Sequence, residues 1–335
     1  MAERPVTVLA MQPWALPALF PGNLMDRLRT LVRLESECVL TAFATTEAGV
    51  TLRNADILLT GWGCPWIDDV ALDAAPRLRA VIHAAGSIKR HVGQAVFDRG
   101  MTVSSAAQAN AIPVAEYTVA AAIFAAKRVF ARARWYADDR AAGDWRSGSG
   151  GGLYGRTIGV VGASRTGQLV LERLRVFDVR LLLADPYLTM VDARALGAEL
   201  VNLDDLCRRS DLVTVHAPAL AETHHLVDAR RLALLPNGAT LINTARGSLV
   251  DTAALTHHCA TGRIDAVLDV TDPEPLPPDH PLLHLPNVLV TPHLAGSQGN
   301  ELRRLGEFAV AEVARFVRGE PLHGTIHPGD LDRIA

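Results

Sequence analysis

The sequence predicts an α/β protein built from two doubly wound parallel-sheet domains with a cleft between them. Three observations carry that expectation. At about 100–200 residues per domain, a chain of 335 residues has room for two, each with its own core. Short apolar, β-branched runs alternate with helix-like stretches along both halves, the signature of βαβ units. A long alanine-rich segment and then a glycine- and serine-rich stretch separate the two series, and a domain junction is expected there. The spans expected are 1–110, completed by 298–335, and 111–297.

In the first half, strands are expected at 6–10, 39–42, 57–60, 78–83 and 101–104, with an amphipathic helix over 21–33. Residues 110–136 (NAIPVAEYTVAAAIFAAKRVFARARWY) read as one helix, because alanine is the best helix former and Pro113 falls in its first turn. The following stretch, DWRSGSGGGLYGRT, reads as a linker or exposed loop. Strands are then expected at 157–162, 179–185, 212–217, 239–244, 266–270 and 288–292. Residues 300–318 carry a last helical pattern, with Gly319 as its C-terminal cap.

Composition excludes several classes. Hydrophobic residues make up 49% and charged residues 21%, the balance of a soluble globular protein. With 33 basic against 36 acidic residues, no basic stripe points to nucleic acid. No apolar run approaches the ~20 residues of a membrane span, and the N-terminus lacks the pattern of a secretory signal. Cys38, Cys64, Cys207 and Cys259 lie far apart with no C-x-x-C pair, which fits a reducing cytoplasm. His224-His225 and His257-His258 are adjacent pairs, whose side chains do not share a helix face. They read as surface residues, and no metal is expected.

The segment TIGVVGASRTG is an apolar strand running into Gly162, Ala163, Ser164, Arg165, Thr166 and Gly167, followed by the helical pattern QLVLERLRVF. A dinucleotide fold turns here from its first strand into its first helix. Gly162 permits the tight turn, Gly167 allows close helix–strand packing, and the helix N-terminus offers N–H groups to a pyrophosphate. A glycine before a helix is common in any α/β protein, so the context decides. The next strand ends in Asp185, an acid placed to accept both hydroxyls of an adenosine ribose and to repel a ribose phosphate. NAD is therefore expected rather than NADP. Ser164 stands where the fingerprint has its middle glycine. Either the loop sits farther from the pyrophosphate or the hydroxyl joins the hydrogen bonding.

Three expected strands of the second half lead into Ala245-Arg246-Gly247, Thr271-Asp272-Pro273-Glu274 and Pro292-His293-Leu294. In a parallel sheet all carboxyl ends open on one edge, so residues far apart in sequence can converge on one small molecule.

At these stretches (VVGASRTG, ADPY, HAPALAETHHLV, LINTARGSLVD, LDVTDPEPLP and VLVTPHLAG) the chain resembles the D-isomer-specific 2-hydroxyacid dehydrogenase family. The resemblance covers the second half in the family's order, and NAIPVAEYTVAAAI resembles the family's linking helix. It implies a Rossmann NAD-binding domain, a flavodoxin-like substrate domain, and reversible NAD(H)-dependent reduction of a 2-keto acid. Arg246 would bind the carboxylate, whose planar shape its guanidinium fork matches. His293 would be general acid in reduction and base in oxidation, suited by a charge change near neutral pH. Glu274 would hold the imidazole and favour its charged form. By the same matching, Asp269 would hold the nicotinamide carboxamide, and Thr244, Ala245, His216, Ala217 and Pro218 would line the ring. Arg165 and Thr166 would cover the pyrophosphate, and Gly296 would complete the cofactor contacts. A homodimer is implied as well.

The segment VIHAAGSIKRHV stands where the family has its substrate loop. Backbone N–H groups of Ala85, Gly86 and Ser87 could take the substrate carboxylate. The family commonly has a further glycine and an Asp-Asn pair here, whereas this chain has Ser87 and then Lys89-Arg90-His91. Lys89 adds positive charge, so a substrate with a second anionic group, a phosphonate or dicarboxylate, is an open expectation. The resemblance also leaves open a non-catalytic, NAD-sensing or corepressor-type protein of the same fold.

Overall fold

The structure is a computed structural model that describes residues 4–139 and 151–331. They form two compact units, Met1–Ala111 with Ser297–Ile334, and Ile112–Gly296. The glycine- and serine-rich loop expected from residue 144 lies outside the described residues as far as residue 150.

In the first unit β1 (Val6–Ala10), β2 (Arg33–Leu34), β3 (Ile57–Thr60), β4 (Ala80–His83) and β5 (Thr102–Ser105) run parallel in the order β5-β4-β3-β1-β2. This is the flavodoxin-type order, with its reversal point between β1 and β3. Alternate side chains serve the two faces, as the two-residue period of a strand requires. Leu9, Ile57, Leu59 and Ile82 pack into one core, and Val8, Ala10, Leu58 and Val81 into the other.

In the second unit β6 (Thr157–Val161), β7 (Arg180–Ala184), β8 (Glu199–Leu200), β9 (Leu212–Val215), β10 (Thr240–Asn243), β11 (Asp265–Leu268) and β12 (Val288–Val290) are ordered β12-β11-β10-β9-β6-β7-β8. Every pairing is parallel. This is the Rossmann order with one further strand, reversing between β6 and β9. Val161, Leu182 and Leu241 face one layer of helices, and Val160, Leu183 and Ile242 face the other.

Several expectations change. Residues 39–42 form no strand; the chain pairs with β1 at Arg33–Leu34, and Leu40 adds a single bridge to Ala10. The helix expected over 21–33 ends at Leu31, freeing Arg33 for that pairing. The single helix over 110–136 is two helices, Ala107–Ala126 and Val129–Asp139. Between them Arg128 takes a φ of 51°, and its guanidinium meets Asp265 at 2.8 and 3.1 Å. Burial raises the Asp265 carboxyl above its ordinary range while Arg128 opposes the shift, so the turn supplies a counter-ion to a half-desolvated acid. Because the first of these helices starts at Ala107, Pro113 sits in its interior rather than its first turn. The two-residue β8 has no pattern of its own to betray it.

Ala107–Ala126 is, among the described residues, the one helix with the length and apolarity of a membrane span. Half of its apolar stretch is buried in the two cores, where Ala109 packs in the first unit and Ala115, Ala121, Ala122 and Ala125 in the second. The last long helix, Leu302–Arg318, ends as expected at Gly319, which caps it with a φ of 67°. Its buried Glu312 accepts from Ser104 Oγ at 2.6 Å and Gly324 N–H at 2.8 Å. That tie holds β13 (Thr325–Ile326) antiparallel on β5.

Candidate active site

The phosphate-loop candidates lie at the reversal point of the second sheet. Gly162, at the end of β6, has a φ of 89°, and a Cβ there would stand 2.8 Å from the Ala217 nitrogen. A Cβ on Gly167 would stand 2.1 Å from the Gly162 carbonyl oxygen. Both glycines are therefore required by the turn, one also by its conformation. Ser164 opens the helix that follows. With an ordinary φ of -58° it is the N-cap of the helix Arg165–Leu174, its hydroxyl accepting from Gly167 N–H at 3.3 Å. Arg165 and Thr166 form the first helical turn, with Arg165 exposed.

Asp185 follows β7 and reaches back over this loop. Its Oδ2 accepts from Ala163 N–H at 2.7 Å and its Oδ1 from Tyr187 N–H at 2.9 Å. Each oxygen keeps a further lone pair, so the acid can hold the loop and still accept from a diol. His216, Ala217 and Pro218 follow β9 across the reversal point. His216 is buried, its Nε2 is 2.9 Å from Thr214 Oγ1, and its Nδ1 has no partner among the described residues. Burial pushes this imidazole down to about 3, so it stays neutral at physiological pH. A positive-φ glycine, a capped helix start and an acid aimed at the same loop fit a dinucleotide.

The loops after β10, β11 and β12, three consecutive neighbours in the sheet, carry Arg246, Glu274 and His293. Arg246 is turned by Asn243, whose side chain donates to the Arg246 carbonyl at 2.8 Å and accepts from Ala245 N–H at 3.0 Å. Its guanidinium donates to the Ala245 carbonyl at 2.6 Å. The loops after β10 and β11 touch backbone to backbone: a Cβ on Gly247 would stand 2.0 Å from the Thr271 carbonyl. Nδ1 of His293 lies 2.6 Å from Glu274 Oε1. A carboxylate only accepts, so the ring proton of neutral His293 sits on Nδ1 and Nε2 is left to take up or release a proton. Both side chains are partly exposed, at 49% and 41%.

Asp269 ties down the loop that follows β12. It is 1% exposed. Its Oδ1 accepts from Thr291 Oγ1 at 2.6 Å and Leu294 N–H at 2.9 Å, and its Oδ2 from Ala295 N–H at 2.9 Å. Its carbonyl also accepts from His293 N–H at 2.9 Å. The residue thus grips the loop bearing His293 and holds His293 at a φ of 52°, a left-handed conformation that costs a non-glycine residue about 1 kcal/mol. Thr291 gives its one hydroxyl proton to Asp269, so Tyr117, 2.7 Å away, donates to Thr291. Thr118 gives its hydroxyl proton to the Val114 carbonyl at 2.8 Å, so Thr244, 3.0 Å away, donates to Thr118. These two helix residues were not singled out by sequence, because a hydroxyl on an alanine-rich helix carries no motif. Gly296 ends this unit one residue past Ala295.

In the first unit, Ala85 is buried, while Gly86, Ser87 and Lys89 are half-buried, just past β4. His83 organises this loop: its Nδ1 meets Thr60 Oγ1 at 2.8 Å, its ring bonds the Ser87 backbone, and burial pushes it down to about 3. Lys89 N–H donates to Ser87 Oγ at 3.4 Å. Of the histidine pairs, His224 and His257 are exposed, but His225 and His258 are half-buried, His258 accepting from Arg263 at 3.0 Å.

Residues 119–295 match the NAD binding domain of the D-isomer specific 2-hydroxyacid dehydrogenases. The chain is 31% identical to a D-3-phosphoglycerate dehydrogenase of Methanocaldococcus jannaschii over 303 residues, 88% of this chain and 56% of that protein. It spans about half the length of the D-3-phosphoglycerate dehydrogenases that it matches. It is 35% identical to a glyoxylate reductase of Korarchaeum cryptofilum over 273 residues, 80% of this chain and 82% of that one. In fold it is similar to the D-mandelate dehydrogenase of Rhodotorula graminis, with a TM-score of 0.81 and 21% identity over 97% of this chain and 98% of that one. Matching residues, strand order and overall fold agree: the chain belongs to the D-isomer specific 2-hydroxyacid dehydrogenase family.

Proposed function

We propose that this protein is an NAD(H)-dependent 2-keto acid reductase, forming a D-2-hydroxy acid reversibly. The observation that carries the reading is the 2.6 Å pair of His293 Nδ1 and Glu274 on loops next to the one bearing Arg246. Arg246 takes the substrate carboxylate with its planar fork. In reduction His293 Nε2 delivers the proton to the carbonyl oxygen; in oxidation it removes the hydroxyl proton. Glu274 orients the ring and balances its charge in the protonated form. Asp269 positions His293 through the loop 291–295, and the remaining lone pair of its Oδ2 would take the nicotinamide carboxamide. When bound, the reduced nicotinamide supplies the hydride. Gly162, Ser164 and Gly167 would hold the pyrophosphate at the helix start, and Asp185 the adenosine ribose. Asp185 favours NAD over NADP, since a carboxylate repels a phosphate. A homodimer is part of the proposal.

The test is a panel of 2-keto acids assayed by NADH consumption, with NADH affinity measured separately by fluorescence. Turnover of at least one acid is expected, with NADH bound more tightly than NADPH. NADH binding without turnover of any acid would instead favour the non-catalytic, NAD-sensing reading. The second anionic group expected from Lys89 is tested alongside. If Lys89→Ala leaves the ratio of kcat/KM for pyruvate and 2-ketoglutarate unchanged, that expectation fails.

A further inference from the structure

Asp269 and Thr291 stand one residue beyond the paired ends of β11 and β12, where Leu268 lies opposite Val290. Thr291 N–H donates to the Leu268 carbonyl at 2.8 Å, which fixes the threonine beside the acid. Its hydroxyl donates to Asp269 Oδ1 at 2.6 Å. Leu294 N–H meets the same oxygen at 2.9 Å, while Oδ2 takes Ala295 N–H at 2.9 Å. A carboxylate offers about two acceptor positions on each oxygen. The described residues fill both on Oδ1 and one on Oδ2, so the position left open is on Oδ2.

What keeps Oδ1 closed is the direction of the Thr291 proton, and a hydroxyl left to itself rotates to suit its surroundings. Tyr117 removes that freedom. It sits on the helix Ala107–Ala126, packed against the core of the second unit, with its hydroxyl 2.7 Å from Thr291 Oγ1. Because Tyr117 donates there, the Thr291 proton has to point away from it and towards Oδ1. Burial raises the Tyr117 hydroxyl above its ordinary range, so it keeps the proton that it gives. Tyr117, Thr291 and Asp269 all belong to the second unit, and the chain of donors is complete within it.

We infer that Tyr117 is a positioning residue for the nicotinamide. By locking the Thr291 proton onto Oδ1 it leaves Oδ2 as the single acceptor for the carboxamide, and so selects one orientation of the ring. The inference rests on the reading that Asp269 takes that carboxamide. Half a turn of the ring about its bond to the ribose carries the carboxamide to the opposite side and presents the other face for hydride transfer. With one acceptor open, only one of the two orientations keeps its N–H bond to a charged oxygen, worth about tenfold or more in population. Opening Oδ1 offers the turned ring a bond of its own.

The test is a transferred nuclear Overhauser measurement on NAD⁺ bound to the full chain, with no keto acid present. Effects from the anomeric ribose proton to the two ring protons that flank the glycosidic nitrogen report the two orientations. Wild type, Tyr117→Phe and Thr291→Val are compared, with Thr291→Ser as the conservative control. In wild type the minor orientation should hold about a tenth of the population or less. It should rise by about threefold in Tyr117→Phe and further in Thr291→Val, whereas Thr291→Ser should keep the wild-type ratio. Both effects are read within one bound molecule, so a lower folded fraction or weaker binding cancels. An unmoved ratio in Tyr117→Phe or in Thr291→Val overturns the inference, as do comparable amounts of both orientations in wild type. The carboxamide reading is checked separately with the 3-acetylpyridine analogue of NAD⁺, whose acetyl group has no N–H to give. Equal affinity of wild type for the analogue and for NAD⁺ removes that reading and the inference with it; weaker binding of the analogue with unmoved variants removes the inference alone.

Discussion

At the carboxyl edge of the second sheet, the loops after β10, β11 and β12 present Arg246, Glu274 and His293, braced by the buried Asn243 and Asp269. At the same edge of the first sheet, the loops after β1 and β3 present Trp14, Trp62 and Trp66, and residues 11–14 and 61–67 carry no charge. The strands beneath are built alike, parallel, mostly apolar and packed on both faces. What differs is how each edge treats its histidines. His83 and His216 are enclosed, bonded to threonine hydroxyls and held neutral. His293 is half-exposed and faces a carboxylate. Burial decides where loops emerge from a parallel sheet, while the loops decide whether an imidazole is a strut or a proton carrier.

The sharpest break of that contrast is His293→Ala. The proposed mechanism expects kcat to fall by roughly two to four powers of ten, the usual worth of general acid–base help, with NADH affinity retained. A fall of less than about tenfold would make His293 another strut. Asp269→Asn comes next. Three donors converge on that carboxylate, so the change should cost about 1–3 kcal/mol of stability, read from the urea midpoint, and lower kcat through the misplaced His293 loop. An unaltered urea midpoint would mean that the loop is held by something else.

The smallest effect concerns acid stability. His83 and His216 stay neutral in the fold down to about pH 3, whereas unfolding frees each to take a proton below about 6.5. The unfolded state binds more protons in that window, so stability falls as pH drops from about 6.5 towards 3. His216→Asn should therefore lose less stability than wild type between pH 7 and 5, as read by urea unfolding at each pH. Equal losses would mean that His216 is accessible to protons in the folded protein.

Much of the second unit was legible in order. The strand, glycine turn, helix and acid from residue 157 to Asp185 are a local pattern, and local patterns survive into structure because neighbours in sequence remain neighbours in space. The roles within the pattern were less so. Ser164 could be read as a poor glycine, but its ordinary φ and its cap to Gly167 N–H make it the start of the helix. Asp269 suggests a ligand for the cofactor by its place in the pattern; that its carboxylate also accepts three bonds from residues 291–295 is visible only in the structure. Residues 39–42 looked like a strand by apolarity alone, yet pairing with the edge of β1 went to Arg33–Leu34.

The amino-acid order alone determined the alternation of strand and helix, the glycines of the phosphate turn, and the identities of Arg246, Glu274 and His293. These follow from side-chain period, backbone freedom and intrinsic chemistry, which a residue carries wherever it is placed. Only the tertiary structure decided that Tyr117 donates to Thr291, that Arg128 breaks a helix to meet Asp265, and that three tryptophans share an edge with the loop held by His83. Each depends on which distant residue is packed alongside, and burial and hydrogen-bond partners exist only once the sheets have formed.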